Sequence, residues 1–503
     1  MLIREVDCFS VGITPYYYLH SKLLKHQMRT SKMINQIFSR MRILNIALSL
    51  SFLLCFSSFI EAQEARLLRQ PSMSATHVTF THGGDVWVVP KTGGAAFRVT
   101  STGATENDPH LSPDGRTIAF TSNRSGSNAV YTVPITGGTP KRITWHPSTD
   151  MVRGWTPDGQ SILFASSRGS APSGHNYLYT IDKDGGPASK VTAQWGFDGA
   201  YAPDGKHLAL DRMSRWDSEW RLYRGGQNTP LIVLNLEDHS EVLISNDKTT
   251  DIMPLWMGGQ IYFLSDRDGT MNVWSYMVSS KELKRVTKFK GDDVKALDGH
   301  GNSLVIERSG YLHILNPANG RAQRMEVSIV GDFPWSETKW ENVSRSAGSA
   351  SLSPTGKRAI LESRGEIFTI PTEHGNTRNI TQSSDVADRR PMWSPKGGQV
   401  AWFSDKGGKG YSLMLADQDG MSAPESISIG VSKLAWEPTW SPDGKHIAFA
   451  DDDTRVRILN LESKQIKTID NAGVNIERGR MGLSWSPDSK YLAYTKMQSN
   501  NLR

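Results

Sequence analysis

Cysteine is almost missing from this chain: there are two in 503 residues, Cys8 and Cys55, and both precede residue 60. Everything after them is without thiols, which excludes disulfide staples, a cysteine nucleophile and a thiolate metal site there. No Gly-x-Ser-x-Gly elbow marks a hydrolase serine. His-x-x-x-His and Cys-x-x-Cys patterns are missing too. Asp451-Asp452-Asp453 and Asp292-Asp293 lack the alternating oxygen spacing of a calcium loop and read as solvated turns. His82-Gly83-Gly84-Asp85 sits between two short apolar runs and reads as a hairpin turn. The expectation is therefore no catalytic residue, no metal ligand and no cofactor. A concentrated positive charge is also lacking. The formal net charge is +6, but residues 1–63 hold seven lysines and arginines against three acids. The remainder is close to balance and carries no polyanion footprint, so no nucleic-acid partner is expected. Nowhere after residue 63 does an apolar period of helical length appear.

The basic leader has its own logic. From Met41, a short cationic segment is followed by the uncharged apolar run Ile46 to Ile60 and by Ala62, a small residue suited to cleavage. Residues 41–63 are read as a signal peptide, with an uncleaved anchor as the alternative. Export, to a periplasmic location, follows, without stable membrane insertion after cleavage. Residues 1–40 fit no targeting pattern and are read as an extra or misassigned extension.

Glycine, proline and tryptophan are plentiful, and they recur in one phrase. LSPDGRTIAF (Leu111 to Phe120) returns as WTPDGQSILF, YAPDGKHLAL, LSPTGKRAIL, WSPKGGQVAW, WSPDGKHIAF and WSPDSKYLAY. Proline pre-sets the second position of a tight turn, aspartate satisfies local donors, and glycine accepts the left-handed conformation that reverses the chain. A short apolar strand follows, then a polar reversal, a second strand, a Gly-Gly or Asp-Gly turn, and a short closing strand. Counted from the turn proline, the units begin at Pro71, Pro113, Pro157 and Pro203. Decayed copies follow near Gly258-Gly259 and Gly299–Gly301, then Pro354, Pro395, Pro442 and Pro487. The spacing of roughly 40–50 residues is that of a four-stranded propeller blade. An all-β fold of tandem β-propellers is expected, because ten units exceed the usual ~4–8 of one ring. The expected division is a six-bladed ring over 64–328, a linker over 329–348, and over 349–503 the first blades of a seven-bladed ring that breaks off in mid-unit.

Longer phrases carry more specific information. DVWVVPKTGG, TWHPSTDMVRGWTPDG, FDGAYAPDGK, YRGGQNTP, IYFLSDRDGTMNVWSY and SASLSPTGKRAILESRGEIFTIP resemble the tricorn protease family, and the likeness runs from about Arg66 to Lys496. The resemblance implies a six-bladed ring followed by a seven-bladed one, both guiding unfolded peptides to a serine peptidase core whose catalytic residues lie beyond this stretch. It also implies homo-oligomers. Where the family archetype holds a peptide carboxylate with two adjacent arginines, this sequence offers the single Arg153 in MVRGW. Arg212 to Gln227 reads as a loop inserted in one blade. Its Trp216, Trp220, Tyr223 and Arg224 are the residue types that anchor interfaces, or else a loop packed on its own blade. A TolB-like periplasmic scaffold that binds proteins without catalysis is the competing reading.

Overall fold

The computed structural model describes residues 65–502 apart from 171–174, 193, 213–230, 245–248, 332, 334–341, 344, 384, 409, 431–433, 472–480 and 499–500. The leader and Trp216, Trp220, Tyr223 and Arg224 lie outside the described residues. Every regular element among them is a β-strand.

The strands form consecutive antiparallel meanders of four. Six such sheets span Arg69–Arg98, Glu106–Arg142, Asp150–Lys190, Gly199–Leu243, Asp251–Arg285 and Val294–Arg324. The first strand of each packs on the first strands of its neighbours. Strand Arg69–Met73 touches both Glu106–Leu111 and Val294–His300, so the series of six returns to its start. This is a β-propeller architecture. Strand Val327–Ile329 then lies parallel to Gly94–Arg98 on the outer edge of the first sheet. Three more four-stranded sheets follow, Ala347–Asn379, Asp388–Ser428 and Ala435–Asn471, and then the pair Ser484–Trp485 with Leu492–Ala493.

The repeated phrase forms the turn between the first and second strands of a sheet. Ser112 Oγ donates to Asp114 Oδ1 (2.6 Å), which also accepts from the Arg116 N–H (3.1 Å), while Gly115 takes φ 70°. Ser441, Asp443 and Gly444 repeat this geometry. The second strand inserts an aromatic between sheets. Phe80, Phe120, Phe164, Phe263, Phe403 and Phe449 are all fully buried, each stabilising the fold by about 1.5–3 kcal/mol of transfer free energy.

One register expectation is corrected. Pro71 is not a turn proline; it lies inside strand Arg69–Met73, and the turn falls at Ser74–His77. Its counterparts are Pro109, Pro254, Pro391 and Pro438. In each of these sheets the first strand has a β-bulge, and the residue before the proline is left-handed: Gln70 (φ 52°), Asp108 (49°), Met253 (56°), Arg390 (55°) and Glu437 (49°). Proline is tolerated within a strand only where no ladder donor is required, and a bulge on an edge strand is such a place. Gly299 likewise lies within a strand, Val294–His300, and the turn there uses Gly301.

The insertion after Arg212 separates strands His207–Leu210 and Ile232–Asn235, which pair with each other in the fourth sheet. It therefore interrupts a single sheet. Residues before the first strand close the six-sheet series: Ala65 N–H donates to Val327 O (2.9 Å) and Leu68 N–H to Gly310 O (3.1 Å). Leu68, Phe80 and Trp87 pack there with Val305, Leu312, Met325 and Val327 in one apolar cluster.

Candidate functional site

The first strands of all six sheets line one cavity of about 510 Å³. Its wall is built at the bulges, where side chains link each sheet to the next. Gln70 Nε2 donates to Asp108 Oδ1 (3.1 Å), and Asp108 N–H donates back to Gln70 Oε1 (3.1 Å). Arg153 Nη1 meets Asp108 Oδ2 at 2.8 Å, and Arg153 Nε meets Asp198 Oδ1 at 3.0 Å. Asp211 Oδ2 accepts from Met253 N–H (2.9 Å), and Asp293 Oδ1 from Met271 N–H (2.9 Å). Glu307 Oε2 accepts from Gln70 N–H (3.0 Å), and Asp298 Oδ2 from Met73 N–H (2.9 Å). Each of the six sheet-to-sheet junctions thus carries a hydrogen bond to a side chain. Most of the acceptors are carboxylates, the stronger kind of acceptor.

Arg153, the arginine offered by MVRGW, is in this wall. Its side chain is only 2% exposed, lies 4.5 Å above the Phe197 ring, and donates to the carbonyls of Phe197 and Val152 as well as to the two aspartates. The guanidinium is therefore held between two carboxylates, which explains why an arginine is tolerated at that depth.

Three aromatic residues form an arc. Trp155, Tyr201 and Trp256 occupy the same register position on three first strands, paired with Ile162, Leu208 and Ile261 respectively. All three line the cavity and are half-buried. Trp155 Nε1 donates to His110 O (3.0 Å) and Trp256 Nε1 to Gly258 O (3.2 Å), so the indoles offer the cavity ring surface and no donors. Burial pushes the Tyr201 phenol up to about 12, which keeps it neutral. At the matching positions of the other sheets stand Met73, Leu111 and Gly299.

The turns at one end add acidic groups. The hydrogen bond from Ser112 holds the Asp114 carboxyl below its usual range, and that from Thr156 does the same for Asp158. Pro113, Pro157 and Pro203 of these turns also line the cavity.

The opposite ends of the second strands show a different constellation. Arg124 lies over Phe120 and Tyr131 and pairs with Glu106; Arg168 lies over Phe164 and Tyr179 and pairs with Asp150; Arg267 lies over Phe263 and Trp274 and pairs with Asp251 at 2.9 Å. These are blade-internal braces. Asp451 is similarly committed, to Arg455 at 2.9 Å and Arg457 at 3.4 Å.

Sequence reasoning reached Arg153 but not its partners Asp108 and Asp198, nor Gln70, Asp298 and the aromatic arc. A signal for the bulge was present. A second proline precedes the turn proline by four positions in Pro109/Pro113, Pro391/Pro395 and Pro438/Pro442. The residue before that second proline marks the wall.

Comparison with known proteins gives a consistent result. Residues 65–321, half of the chain, match the family model of the tricorn protease N-terminal β-propeller domain. Tricorn protease homolog 1 of Streptomyces coelicolor is 30% identical over 445 residues, covering 87% of this chain and 41% of the relative. Tricorn protease of Thermoplasma acidophilum is 26% identical over 322 residues, covering 60% of this chain and 28% of the relative. The chain thus spans less than half the length of either. A crystal structure of the tricorn protease covers 86% of this chain and 42% of its own, with a TM-score of 0.50 and 20% identity, a likeness of fold.

Proposed function

Given that this chain belongs to the tricorn protease family, we propose that it is the substrate-guiding propeller portion of a tricorn-like serine peptidase that degrades unfolded peptides. In this reading residues 64–328 form a six-bladed ring with an open bore. Residues from 349 onward are the first blades of a seven-bladed ring, and catalysis belongs to residues outside this stretch. The leader directs export, and the complete peptidase assembles as a homo-oligomer.

One observation carries the proposal: a single cavity of about 510 Å³ is lined by the first strands of all six sheets, with no one sheet enclosing it. A central opening among blades admits an extended chain and excludes a folded domain. In this reading Arg153 does not take the carboxylate-holding role that the resemblance suggested, because its buried guanidinium is already shared between Asp108 and Asp198; it braces the wall of the bore.

Binding to this chain tests the proposal. Fluorescently labelled unstructured peptides of about fifteen residues are titrated beside a compact folded domain of equal charge. The background has Cys8 and Cys55 replaced by serine and Leu255→Cys introduced, so that a bulky maleimide can be attached inside the cavity. Peptide binding that is lost on maleimide attachment, with no binding of the folded domain, is the expected result. Binding of the folded domain that ignores the maleimide overturns the proposal and favours a protein-binding scaffold.

A further inference from the structure

The charge of the cavity wall is one-sided. Counting histidine (His110 and His300) as neutral, its formally charged residues are Asp108, Asp198 and Asp298 against the single Arg153. That arginine is already shared between the first two aspartates. Asp298 is different. Its Oδ2 takes the Met73 N–H, while Oδ1 has no hydrogen-bond partner among the described residues, and the residue is half-buried on the cavity wall. The aromatic arc of Trp155, Tyr201 and Trp256 faces the same space with its N–H groups committed elsewhere. Ring faces with a carboxylate nearby attract ammonium and guanidinium groups and gain nothing from anions.

Resting on the peptide-guiding reading above, we infer that the bore of the first ring selects for cationic side chains: lysine or arginine of a passing peptide is held between the Trp155–Tyr201–Trp256 arc and the open oxygen of Asp298. The site discriminates by charge and by the flat face of the aromatic rings, not by fixed hydrogen-bond geometry. It therefore tolerates varied sequence around the basic residue.

The test uses the whole chain at pH 8, where histidine is neutral, and at low salt. Three unstructured, end-capped peptides differ only in carrying lysine, glutamine or glutamate at the same positions, and binding is read by fluorescence anisotropy. The lysine peptide should bind about three- to tenfold more tightly than the glutamine one, and the glutamate peptide most weakly. The net charge of the whole protein is +6, so non-specific attraction would produce the reverse order. Asp298→Asn and Trp256→Leu should each remove most of the preference. Because Asp298 also holds the Met73 N–H, His300→Lys provides a second variant that places a cation on the half-buried rim of the same cavity without touching that bond. It should abolish the preference for the lysine peptide while the thermal melting curve is unchanged. Equal binding of all three peptides, or tighter binding of the glutamate peptide, overturns this inference alone. Failure of every peptide to bind overturns the guiding function with it.

Discussion

Arg153 Nη1 stands 2.8 Å from Asp108 Oδ2, and through this contact the third sheet is tied to the second. The same guanidinium reaches Asp198 in the fourth, so one side chain spans three sheets. Removing it strips two buried carboxylates of the guanidinium they share. Arg153→Ala should cost about 3–5 kcal/mol in urea unfolding. Arg153→Lys should recover only part of this, because an ammonium cannot fork between two acceptors. The combination Arg153→Met with Asp108→Asn and Asp198→Asn should be milder than Arg153→Ala alone; additive losses would show that the three do not act as a unit.

Phe164 fills the space between the second and third sheets, packed with Ala119, Val130 and Val152. Phe164→Ala should lower stability by about 3–5 kcal/mol. Phe164→Leu should lower it by much less. Denaturant midpoints measure both, and a loss below about 1 kcal/mol for the alanine variant would contradict the burial described.

His82 gives an acid-sensitive element. Burial lowers its pKa, Nδ1 has no hydrogen-bond partner among the described residues, and the ring packs edge-on against Trp87 and Phe333. A histidine with a folded pKa below its unfolded 6.5 takes up its proton more readily in the unfolded chain. Its contribution is therefore intact above pH 6.5 and declines as pH falls toward the folded value. His82→Phe should flatten the fall in melting temperature between pH 6.5 and pH 5. An unchanged slope would assign that acid sensitivity elsewhere.

At Gly93 the outer edge of the first sheet meets the returning chain. φ is 86°, and a Cβ would stand 2.6 Å from Glu326 O. Gly94 N–H donates to that same oxygen at 2.8 Å. Gly93→Ala should therefore push strand Val327–Ile329 off the sheet. Hydrogen exchange should show faster amide exchange at 327–329, with the strands of the third sheet unaffected.

Much of this architecture was legible because it rests on local chemistry. Ser112-Pro113-Asp114-Gly115 makes its turn from its own donors and acceptors, and so do its repeats. The inserted aromatic of the second strand is visible as the apolar residue at a fixed distance from the turn. The wall of the cavity was not legible in the same way. Asp108 and Asp198 are 90 residues apart and acquire meaning only when the sheets bring Arg153 between them. Pro71 reads as a turn proline because a turn and a bulge both accept a residue that donates no amide, and Ala75 stands where a turn proline would separate the two. Trp155, Tyr201 and Trp256 look like any other strand aromatics until register aligns them.

The proline-bearing bulges have a consequence for any guest chain. A sheet edge normally presents a row of amides that an extended polypeptide can zip onto, converting a visitor into an extra strand. Here Pro71, Pro109 and Pro254 remove amides from those edges, and the N–H groups of Gln70 and Met253 are already taken by Glu307 and Asp211. In the guiding role proposed above, a threading polypeptide would thus find side chains to graze but little backbone to grip at these edges, the condition for sliding onward instead of lodging.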